Sequence, residues 1–600
     1  MNHFPISRAL FSLLTIIASN LSLHAATPDS GLQQQIDAAI ARGENHFVIP
    51  AGIHRLPAGL RLRNLKNFTP RSHPPPPPPP PPPTASTPPP PPPLPHGFDA
   101  MFAQRRSSLK TSATAASSPP TATASPCAGS PSTSTPLAFT QGTVETIDPE
   151  KKREITFTLH DGYPDLAPHY LSGRAHLFSP DPVSPKWKTT APDIYATKAT
   201  ALTPRRGVLY FSPAEKAKFA AFALGDYVAL DFRHSRGIRV ERASNLRIEN
   251  VTLHSVPSIG VICRYMDGKN VFRYKIERGP LPPGATIPRL LSTSADGLNY
   301  AYARTGPLVE QCDFSFMGDD SINLHGITFF VARVDGRTVS LLRPYPQEAF
   351  ASIIAPGDEI RSLAPDTFDV KGRSKVVRFA IDPHPAEDFS ELAARTWKSA
   401  AVKAGKLTVY RLEFSDPLPL ETGDFLELPA ISAPGWIIRD NHFHDHRGRA
   451  LRLMASNGIA ENNLIENIKQ AAITIGPEFA FWREAGWVDN VTIRNNTIRR
   501  VGYDQRPATY APGAISVFYR GETPDAPRPA MRNENIRIEQ NTIEQTGGPA
   551  IHINQARNIR VTKNRIRDTF QTPSPKSGSL FQLTTDRDIS VNHSDKVIIE

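Results

Sequence analysis

Three aspartates, Asp296, Asp319 and Asp320, stand in the densest polar stretches of this 600-residue chain. Carboxyl groups brought into one patch repel each other as anions, which raises the pKa of at least one of them. A protonated carboxyl beside an ionised one suits general acid and base catalysis, and the hydrolysis of a glycosidic bond uses such a pair. The residue types do not decide which carboxyl would be the acid and which the base.

Two polar residues follow the second and third aspartates closely. Asn323 and His325 belong to the segment Gly318–Gly326 and are candidates for hydrogen bonding to a substrate. The alternative is structural, because Asp-Gly and Gly-Asp-Asp sequences are common turn formers. The spacing of 23 residues between Asp296 and Asp319 favours a site if it equals one structural repeat.

A second candidate cluster lies in the segment Phe481–Trp487. Trp482 and Glu484 combine an aromatic ring with a carboxylate, which is a common arrangement for binding a sugar. The alternative is a loop that caps a hydrophobic core, and composition alone does not separate the two.

The positions of these candidates depend on a repeat that runs to the end of the chain. Segments such as Asn490–Ile498 and Asn535–Ile543 share apolar residues at alternate positions. An asparagine recurs within them, at Asn441, Asn463, Asn496, Asn541 and Asn564. The steps between these asparagines are 22, 33, 45 and 23 residues, which is a base period of 22–23 with insertions. A fixed period of this length is typical of a solenoid.

This repeat predicts an all-β fold, a right-handed parallel β-helix. Alternate apolar residues would point into the coil, and asparagine tolerates left-handed backbone angles at a corner and can stack on its equivalent in the next coil. Stacked coils lie about 4.8 Å apart. Asp296 and Asp319 should therefore be neighbours on one face, with Asp320 beside them.

Two stretches lack the asparagine repeat and contain alternating strands, so we predict two small inserted β-barrels, at 137–233 and 327–432. The β-helix is then expected at 234–326, which carries the acids, and at 433–600, which forms the C-terminal coils.

The N-terminal region has three parts. Residues 1–26 carry a basic start, the apolar run Ala9–Ala18 and small residues, so they read as a signal peptide and predict a secreted or periplasmic protein. Residues 27–69 predict a capping helix, with Leu32, Ile36, Ala39 and Ile40 on one face, followed by the first β-helix strands.

Residues 70–136 hold 23 of the 61 prolines. Proline donates no backbone hydrogen bond to a sheet, so the expectation is a disordered Pro/Ser/Thr/Ala-rich segment without an ordered coil. It is either a linker between coils or a stretch read out of the native frame.

Composition excludes several classes of protein. The net charge of +11 falls to +5 over residues 137–600, without the concentrated basic patch that nucleic-acid binding requires. The cysteines, Cys127, Cys263 and Cys312, are too few for a disulfide framework, and Cys263 and Cys312 stand in apolar runs that predict core positions. No apolar run is long enough to span a membrane. Neither a metal nor another cofactor is expected.

The sequence around the acids resembles glycoside hydrolase family 110. Ser294-Ala-Asp296 and Asp319-Asp320-Ser-Ile-Asn323-Leu-His325-Gly326 carry the resemblance, and Trp482-Arg-Glu484-Ala-Gly486 is similar to another family segment. Enzymes of this family are inverting exo-α-1,3-galactosidases on a β-helix with inserted barrels. The resemblance covers about 27–66 and 137–600, and it implies catalytic roles for the three aspartates and substrate contacts for Trp482 and Glu484.

Two other functions remain open. A polygalacturonase-like hydrolase also carries an Asp-Gly one coil before an Asp-Asp pair, but the Gly-His-Gly and Arg-x-Lys tripeptides expected of it are absent here. The second open function is a non-catalytic β-helix adhesin or carbohydrate-binding module. Acids that come together on one face would argue against it. The expected partner is a galactose-terminated glycan, of either branched or linear type; the oligomeric state is not predicted.

Overall fold

The computed structural model describes most of the chain. The described residues are 31–50, 53–56, 59–72, 98–102, 137–149, 153–343, 349–396, 407–479, 482–503, 513–519, 530, 533–572 and 587–600. The predicted signal peptide, Cys127 and most of the proline-rich segment lie outside them.

The elements follow the chain in five groups. The N-terminal group consists of α1 (Gly31–Ala41), β1 (His46–Ile49), β2 (Ile53–Leu56), β3 (Leu60–Arg63), β4 (Thr69–Ser72) and β5 (Phe98–Phe102). The first insertion contains β6 (Phe139–Asp148), β7 (Glu154–Leu159), β8 (Arg174–Phe178), β9 (Ile194–Tyr195), β10 (Lys198–Thr203), β11 (Arg206–Tyr210), α2 (Lys216–Phe219) and β12 (Tyr227–Asp231), with short 3₁₀ helices at Pro168–Tyr170 and Pro213–Glu215.

The next two groups are the coils around the acids and the second insertion. The coils are β13 (Ile238–Glu241), β14 (Arg247–His254), β15 (Val261–Arg264), β16 (Val271–Ile276), β17 (Leu298–Ala301), β18 (Leu308–Glu310), β19 (Asp313–Ser315) and β20 (Ile322–His325). The second insertion contains β21 (Thr328–Asp335), β22 (Thr338–Arg343), β23 (Glu359–Leu363), β24 (Val370–Ile381), α3 (Ser390–Thr396), β25 (Thr408–Phe414) and β26 (Phe425–Glu427), with 3₁₀ helices at Phe350–Ser352 and Pro429–Ile431.

The C-terminal coils complete the chain. Their strands are β27 (Ile437–Arg439), β28 (His442–His446), β29 (Leu451–Met454), β30 (Gly458–Glu461), β31 (Leu464–Ile468), β32 (Ile473–Ile475), β33 (Asp489–Arg494), β34 (Thr497–Val501), β35 (Ile515–Val517), β36 (Asn533–Glu539), β37 (Thr542–Thr546), β38 (Ile551–Asn554), β39 (Ala556–Thr562), β40 (Arg565–Arg567), β41 (Ile589–Asn592) and β42 (Asp595–Ile599).

These strands build a right-handed parallel β-helix, as predicted. One parallel sheet of ten described strands holds the face on which the acids lie, in the order β3, β13, β15, β17, β20, β29, β32, β35, β38 and β41. A second sheet of nineteen described strands carries the other faces of the coil. Strands β20 and β29 pair directly although the whole second insertion separates them in the sequence. The insertions therefore leave the stacking of the coils unbroken.

Alternate apolar residues fill the interior of the coils. One continuous buried cluster runs from Leu32 in the capping helix α1 to Val561 in β39, and it includes Cys263 and Cys312 as predicted. The coil that contains β36, β37 and β38 contributes Ile536, Ile538, Ile543, Ile551 and Ile553, all fully buried. The two-residue side-chain period of a strand explains why alternate positions point inward.

The recurring asparagines form the ladder that the sequence predicts. Asn441 Nδ2 donates to Asn463 Oδ1 at 2.9 Å, and the next three steps repeat this bond at 2.9–3.0 Å. The expected left-handed backbone angle is wrong for these residues, because it falls on the residue before each of them. Asp440 and Asn462, for example, have φ of 57° and 56°. The ladder residue itself turns its amide inward, and the first four, Asn441, Asn463, Asn496 and Asn541, are buried.

The two insertions have their own hydrophobic cores. The second closes into a six-stranded barrel of β21, β22, β25, β24, β23 and β26. The first is a seven-stranded antiparallel sheet in the order β10, β11, β7, β6, β12, β8 and β9.

The stretch 70–136 differs from the prediction at two places. Strand β4, which ends at Ser72, pairs in parallel with β1, and β5 at Phe98–Phe102 pairs in parallel with β2 and β14. Five residues without proline suffice for a short strand, which the composition of the whole segment concealed. The remaining residues, 73–97 and 103–136, lie outside the described residues. Among the described residues, no helix is long and apolar enough to cross a membrane.

Candidate active site

The coil structure brings the three aspartates together. Carboxylate oxygens of Asp296, Asp319 and Asp320 all lie within 4.8 Å of one another. The register differs by one residue from the expected one, because Leu298 of β17 pairs with Ile322 of β20, an offset of 24 residues. Asp320 is therefore the residue stacked on Asp296, and Asp319 precedes that position. Each acid stands in the turn that leads into a strand of the ten-stranded sheet.

Asp296 lies in an environment that favours its neutral form. It is 8% exposed, and burial is the largest cause that raises its pKa, to about 8. The charges of Asp319 and Asp320 raise the pKa further, whereas a hydrogen bond from Asn299 and the charge of Arg233 oppose the rise. Asn299 Nδ2 donates to Asp296 Oδ2 at 2.8 Å. Asp296 is thus a carboxylic acid at neutral pH.

Asp319 lies in an environment that favours its anion. Arg447 Nη1 donates to its Oδ1 at 2.9 Å, and Arg233 Nη2 donates to its Oδ2 at 2.7 Å. Burial opposes ionisation, but the charges of Arg447, Arg233 and Arg174 outweigh it and hold the pKa of Asp319 well below its usual range. Two adjacent carboxyl groups therefore hold opposite protonation states over a wide range of pH.

Asp320 is fixed by one arginine. The Arg449 backbone N–H and its Nε both donate to Oδ1 at 2.8 Å, and its Nη2 donates to Oδ2 at 2.9 Å. This two-pronged contact is the strong geometry for an arginine and a carboxylate. Gly448 permits it, because a Cβ at this position would lie 2.2 Å from the Asp319 carbonyl carbon. The coil that contains Arg447 and Arg449 can approach the acids this closely only because residue 448 is glycine.

Two asparagines extend the patch along the sheet. Asn299 and Asn323 pair in register on β17 and β20, and both are buried. The Oδ1 atoms of both have no hydrogen-bond partner among the described residues. Buried polar atoms of this kind are costly unless something pairs with them. These two oxygens are suitable acceptors for hydroxyl groups of a substrate, and Asn299 was not among the predicted site residues.

His325 and Glu484 are also brought together. His325 Nε2 lies 3.6 Å from Glu484 Oε1, and the other ring nitrogen, Nδ1, lies 2.8 Å from the Gly326 carbonyl oxygen. Burial is the largest cause that lowers the pKa of His325 well below its usual value, so the ring is neutral. Burial likewise raises the pKa of Glu484, against the charge of Arg452, whose Nη2 lies 3.2 Å from Glu484 Oε2. The charge of Asp320 also raises the pKa of Glu484, so His325 and Glu484 lie within electrostatic reach of the acids.

The two tryptophans of the second cluster have different environments. Trp482 is 56% exposed, whereas Trp487 is buried and donates from Nε1 to the Phe368 carbonyl at 3.0 Å. Trp487 thus packs the β-helix against the second insertion. This agrees with the alternative interpretation of the segment, a loop that caps a hydrophobic core. Trp482 presents a ring at the surface next to Glu484.

Sequence reasoning missed the arginines that set the charge of the site, namely Arg174, Arg233, Arg447 and Arg449. A signal existed for the last two, because Arg447-Gly-Arg449 lies one coil beyond Asp319-Asp320 once the second insertion is removed from the sequence. Arg174 and Arg233 come from the first insertion and its exit, and no coil spacing relates them to the acids.

Comparison with known proteins places the chain among β-helix proteins. A family model described as "Right handed beta helix region" matches residues 430–595. The chain is 23% identical over 414 residues to alpha-1,3-galactosidase A of Bacteroides fragilis, an alignment that covers 68% of this chain and 62% of the relative. It is 26% identical over 394 residues to alpha-1,3-galactosidase B of Bacteroides thetaiotaomicron, covering 62% of this chain and 57% of the relative. The chain thus spans about 60% of the length of these relatives.

Solved structures show more distant similarity. An exopolygalacturonase from Thermotoga maritima has 12% identity and a TM-score of 0.26, over 62% of this chain and 55% of its own. The tailspike protein of Escherichia coli bacteriophage HK620, solved in complex with a pentasaccharide, has 9% identity and a TM-score of 0.32, over 95% of this chain and 62% of its own.

Proposed function

We propose that this protein is an exo-acting glycoside hydrolase that removes terminal α-1,3-linked galactose from oligosaccharides or glycans. The observation that carries the proposal is the close approach of two carboxyl groups in different surroundings: Asp296 is buried beside Asn299, and half-buried Asp319 lies between Arg233 and Arg447. The pKa is accordingly raised for Asp296 and lowered for Asp319. The similarity to proteins named alpha-1,3-galactosidase supplies the substrate class.

In this mechanism Asp296 is the general acid. Its pKa of about 8 keeps the proton available at neutral pH, and the proton passes to the glycosidic oxygen as the bond to the leaving group breaks. Asn299 donates to Oδ2 of Asp296 and so orients the carboxyl group. The carboxylate that forms is stabilised by the charge of Arg233.

Asp319 is the general base that takes a proton from the attacking water. Its two arginine partners hold it ionised and fix the plane of the carboxylate. Asp320 is held by Arg449 on both oxygens, and its charge contributes to the raised pKa of Asp296. We assign Asp320 a share in holding the acid protonated and in orienting the water.

The buried polar groups around the acids suit a sugar with several hydroxyl groups. The amide oxygens of Asn299 and Asn323, which have no partner in the described part of the chain, can accept hydrogen bonds. The neutral ring of His325 and the carboxyl group of Glu484 offer further polar contacts. Trp482 supplies an exposed ring for the next sugar unit. These assignments follow the resemblance to glycoside hydrolase family 110.

We propose inversion at the anomeric carbon, and this part rests on the family resemblance. Inverting enzymes usually separate their carboxyl groups by about 6.5–9.5 Å, and retaining ones by about 5–5.5 Å. One oxygen of each carboxyl group lies within 4.8 Å of the others, and this closest approach is compatible with either outcome.

A screen of α-galactosides of defined linkage with the purified protein tests the substrate. The expected result is release of galactose from terminal α-1,3-linked substrates, and the absence of release from every α-galactoside contradicts the proposal. Proton NMR of the first product tests the stereochemistry. Inversion of an α-linkage yields β-galactose first, and α-galactose as the initial product refutes inversion.

Matched variants test the two roles. Asp296→Asn should lower kcat by about 10²–10⁴-fold on a substrate with a sugar leaving group, and far less on α-galactosyl fluoride, which needs no protonation. Asp319→Asn should lose activity on both substrates, because the base is required whatever the leaving group. Equal losses of the two variants on both substrates would contradict the assignment of acid and base.

The clustering of the acids on one face also weighs against a non-catalytic adhesin, for which no such cluster is required. We further propose, from residues 1–26, that the protein is exported to the periplasm or the medium. The mass of the mature N-terminal peptide tests this, and retention of residues 1–26 would contradict it.

A further inference from the structure

An aspartate of the first insertion reaches into the site. Asp193 immediately precedes β9 and is 5% exposed. Its Oδ1 accepts hydrogen bonds from Arg447 Nε and Lys469 Nζ, both at 2.8 Å, and its Oδ2 accepts one from Arg447 Nη2. Asp193 is thus buried against two cations that belong to two successive coils of the β-helix.

Arg447 links this aspartate to the proposed base. One edge of its guanidinium, Nε and Nη2, faces Asp193. Nη1 donates to Asp319 Oδ1 at 2.9 Å and to the Gly318 carbonyl oxygen at 3.2 Å. The planar, rigid guanidinium group transmits any rotation imposed at one edge to the other. The orientation of Arg447 at Asp319 therefore depends on what holds its opposite edge.

We propose that Asp193 is a positioning residue for the reaction proposed above: it fixes Arg447 so that this arginine holds Asp319 ionised and oriented as the base. The inference rests on the proposed function. It gives the first insertion a part in catalysis, because the insertion supplies the residue that orders a side chain of the β-helix.

Arg447 is one of several charged groups around the proposed base. The charged and titratable groups that face Asp319 are Arg447 and His446 from the next coil, Arg233 and Arg174 from the first insertion and its exit, and the acids Asp296 and Asp320. Asp193→Asn frees Arg447 to turn away from Asp319. The loss of this positive charge raises the pKa of Asp319, whereas Arg233 and Arg174 remain.

Asp193→Asn keeps the shape of the side chain but turns one acceptor into a donor that faces Arg447. The expected result is a loss in kcat of about 10–100-fold with KM changed less than about 3-fold, because Asp193 does not touch the substrate.

Asp226→Asn is the matched control. Asp226 is a buried aspartate of the same insertion, and its carboxylate pairs with Lys188 Nζ at 2.7 Å. In the described part of the chain it makes no hydrogen bond or ion pair with Asp296, Asp319 or Asp320. This variant should keep the kcat and the pH profile of the original protein. An equal loss of kcat in the Asp193 and Asp226 variants would mean that Asp193 only stabilises the insertion, and the proposal would fall.

A crystal structure of the Asp193→Asn protein tests the inference without any activity. The Arg447 Nη1 to Asp319 Oδ1 distance, 2.9 Å here, should lengthen by about 1 Å or more as the guanidinium rotates away from the new donor. An unchanged contact refutes the positioning role. If the original protein hydrolyses no α-galactoside, the proposed function fails, whereas this structure still decides whether Asp193 positions Arg447.

Discussion

Replacing the proposed acid, Asp296→Asn, should make the protein more stable while it removes most of the activity. The physical cause is burial together with the charges of Asp319 and Asp320, which raise the pKa of Asp296 from 3.8 to about 8. An ionised Asp296 is therefore costly in the folded state. Asparagine has nearly the same shape, cannot ionise, and accepts the same hydrogen bond from Asn299.

The sign and size of the effect follow from proton linkage. Between about pH 4 and pH 8 the folded protein keeps the proton of Asp296, whereas the unfolded chain has lost it. The free energy of unfolding of the original protein then falls by about 1.4 kcal/mol per pH unit in that window. Below about pH 4 both states hold the proton, and the protein has the full stability that protonated Asp296 allows. The asparagine variant lacks this term, so its advantage grows from near zero at pH 4 to about 5 kcal/mol at most at pH 8.

Thermal unfolding at pH 4, 6 and 8 measures this difference. For a chain of this size, about 5 kcal/mol corresponds to a rise in Tm of about 3–5 °C at pH 8. Asp440→Asn is the control, because Asp440 is half-exposed at a coil corner where Asn462 and Asn495 occupy the equivalent positions. Its effect on Tm at pH 8 should be much smaller than that of Asp296→Asn. A Tm advantage of Asp296→Asn that does not grow with pH would refute the raised pKa and, with it, the assignment of the acid.

Four further outcomes are expected. The kcat/KM profile should fall above about pH 8 as Asp296 loses its proton, and this limb should be absent from hydrolysis of α-galactosyl fluoride; a limb shared by both substrates would contradict the role of the acid. Gly448→Ala should lower kcat at least about 10-fold, because a methyl group 2.2 Å from the Asp319 carbonyl carbon forces the coils apart, and kinetics unchanged by this substitution would show that the close approach is unnecessary. Asn496→Ala should lower the free energy of unfolding by about 2–4 kcal/mol, because it leaves buried donors of the ladder unpaired. KM should stay the same in the folded protein. Denaturant unfolding and a KM measurement check the two parts. EDTA should leave kcat unchanged, because arginines already pair with the carboxylates of Asp319 and Asp320 and Asp296 is neutral, and a loss restored by a divalent cation would refute this.

The sequence by itself determined the fold, because the information is local and repeats. Alternate apolar residues in the coils, and the asparagine that recurs from Asn441 to Asn564, specify the same strand and the same corner several times, so an exception at a single position does not hide the pattern. The capping helix, the buried cysteines and the closed barrel at β21–β26 follow from equally local patterns. The sequence did not predict the short strand β5, because its five residues are surrounded by proline-rich sequence.

The tertiary structure alone decided how the three aspartates divide their roles. Coil spacing predicted that they would meet, but the register of 24 residues placed Asp320 rather than Asp319 over Asp296. Their protonation states depend on arginines that arrive from elsewhere, with Arg447 and Arg449 beyond the second insertion and Arg233 at the exit of the first. A pKa is set by the burial and the charges within a few ångströms of the group, and those neighbours are far away in the sequence. For this reason the sequence located the acids, and only the folded chain distinguishes an acid from a base.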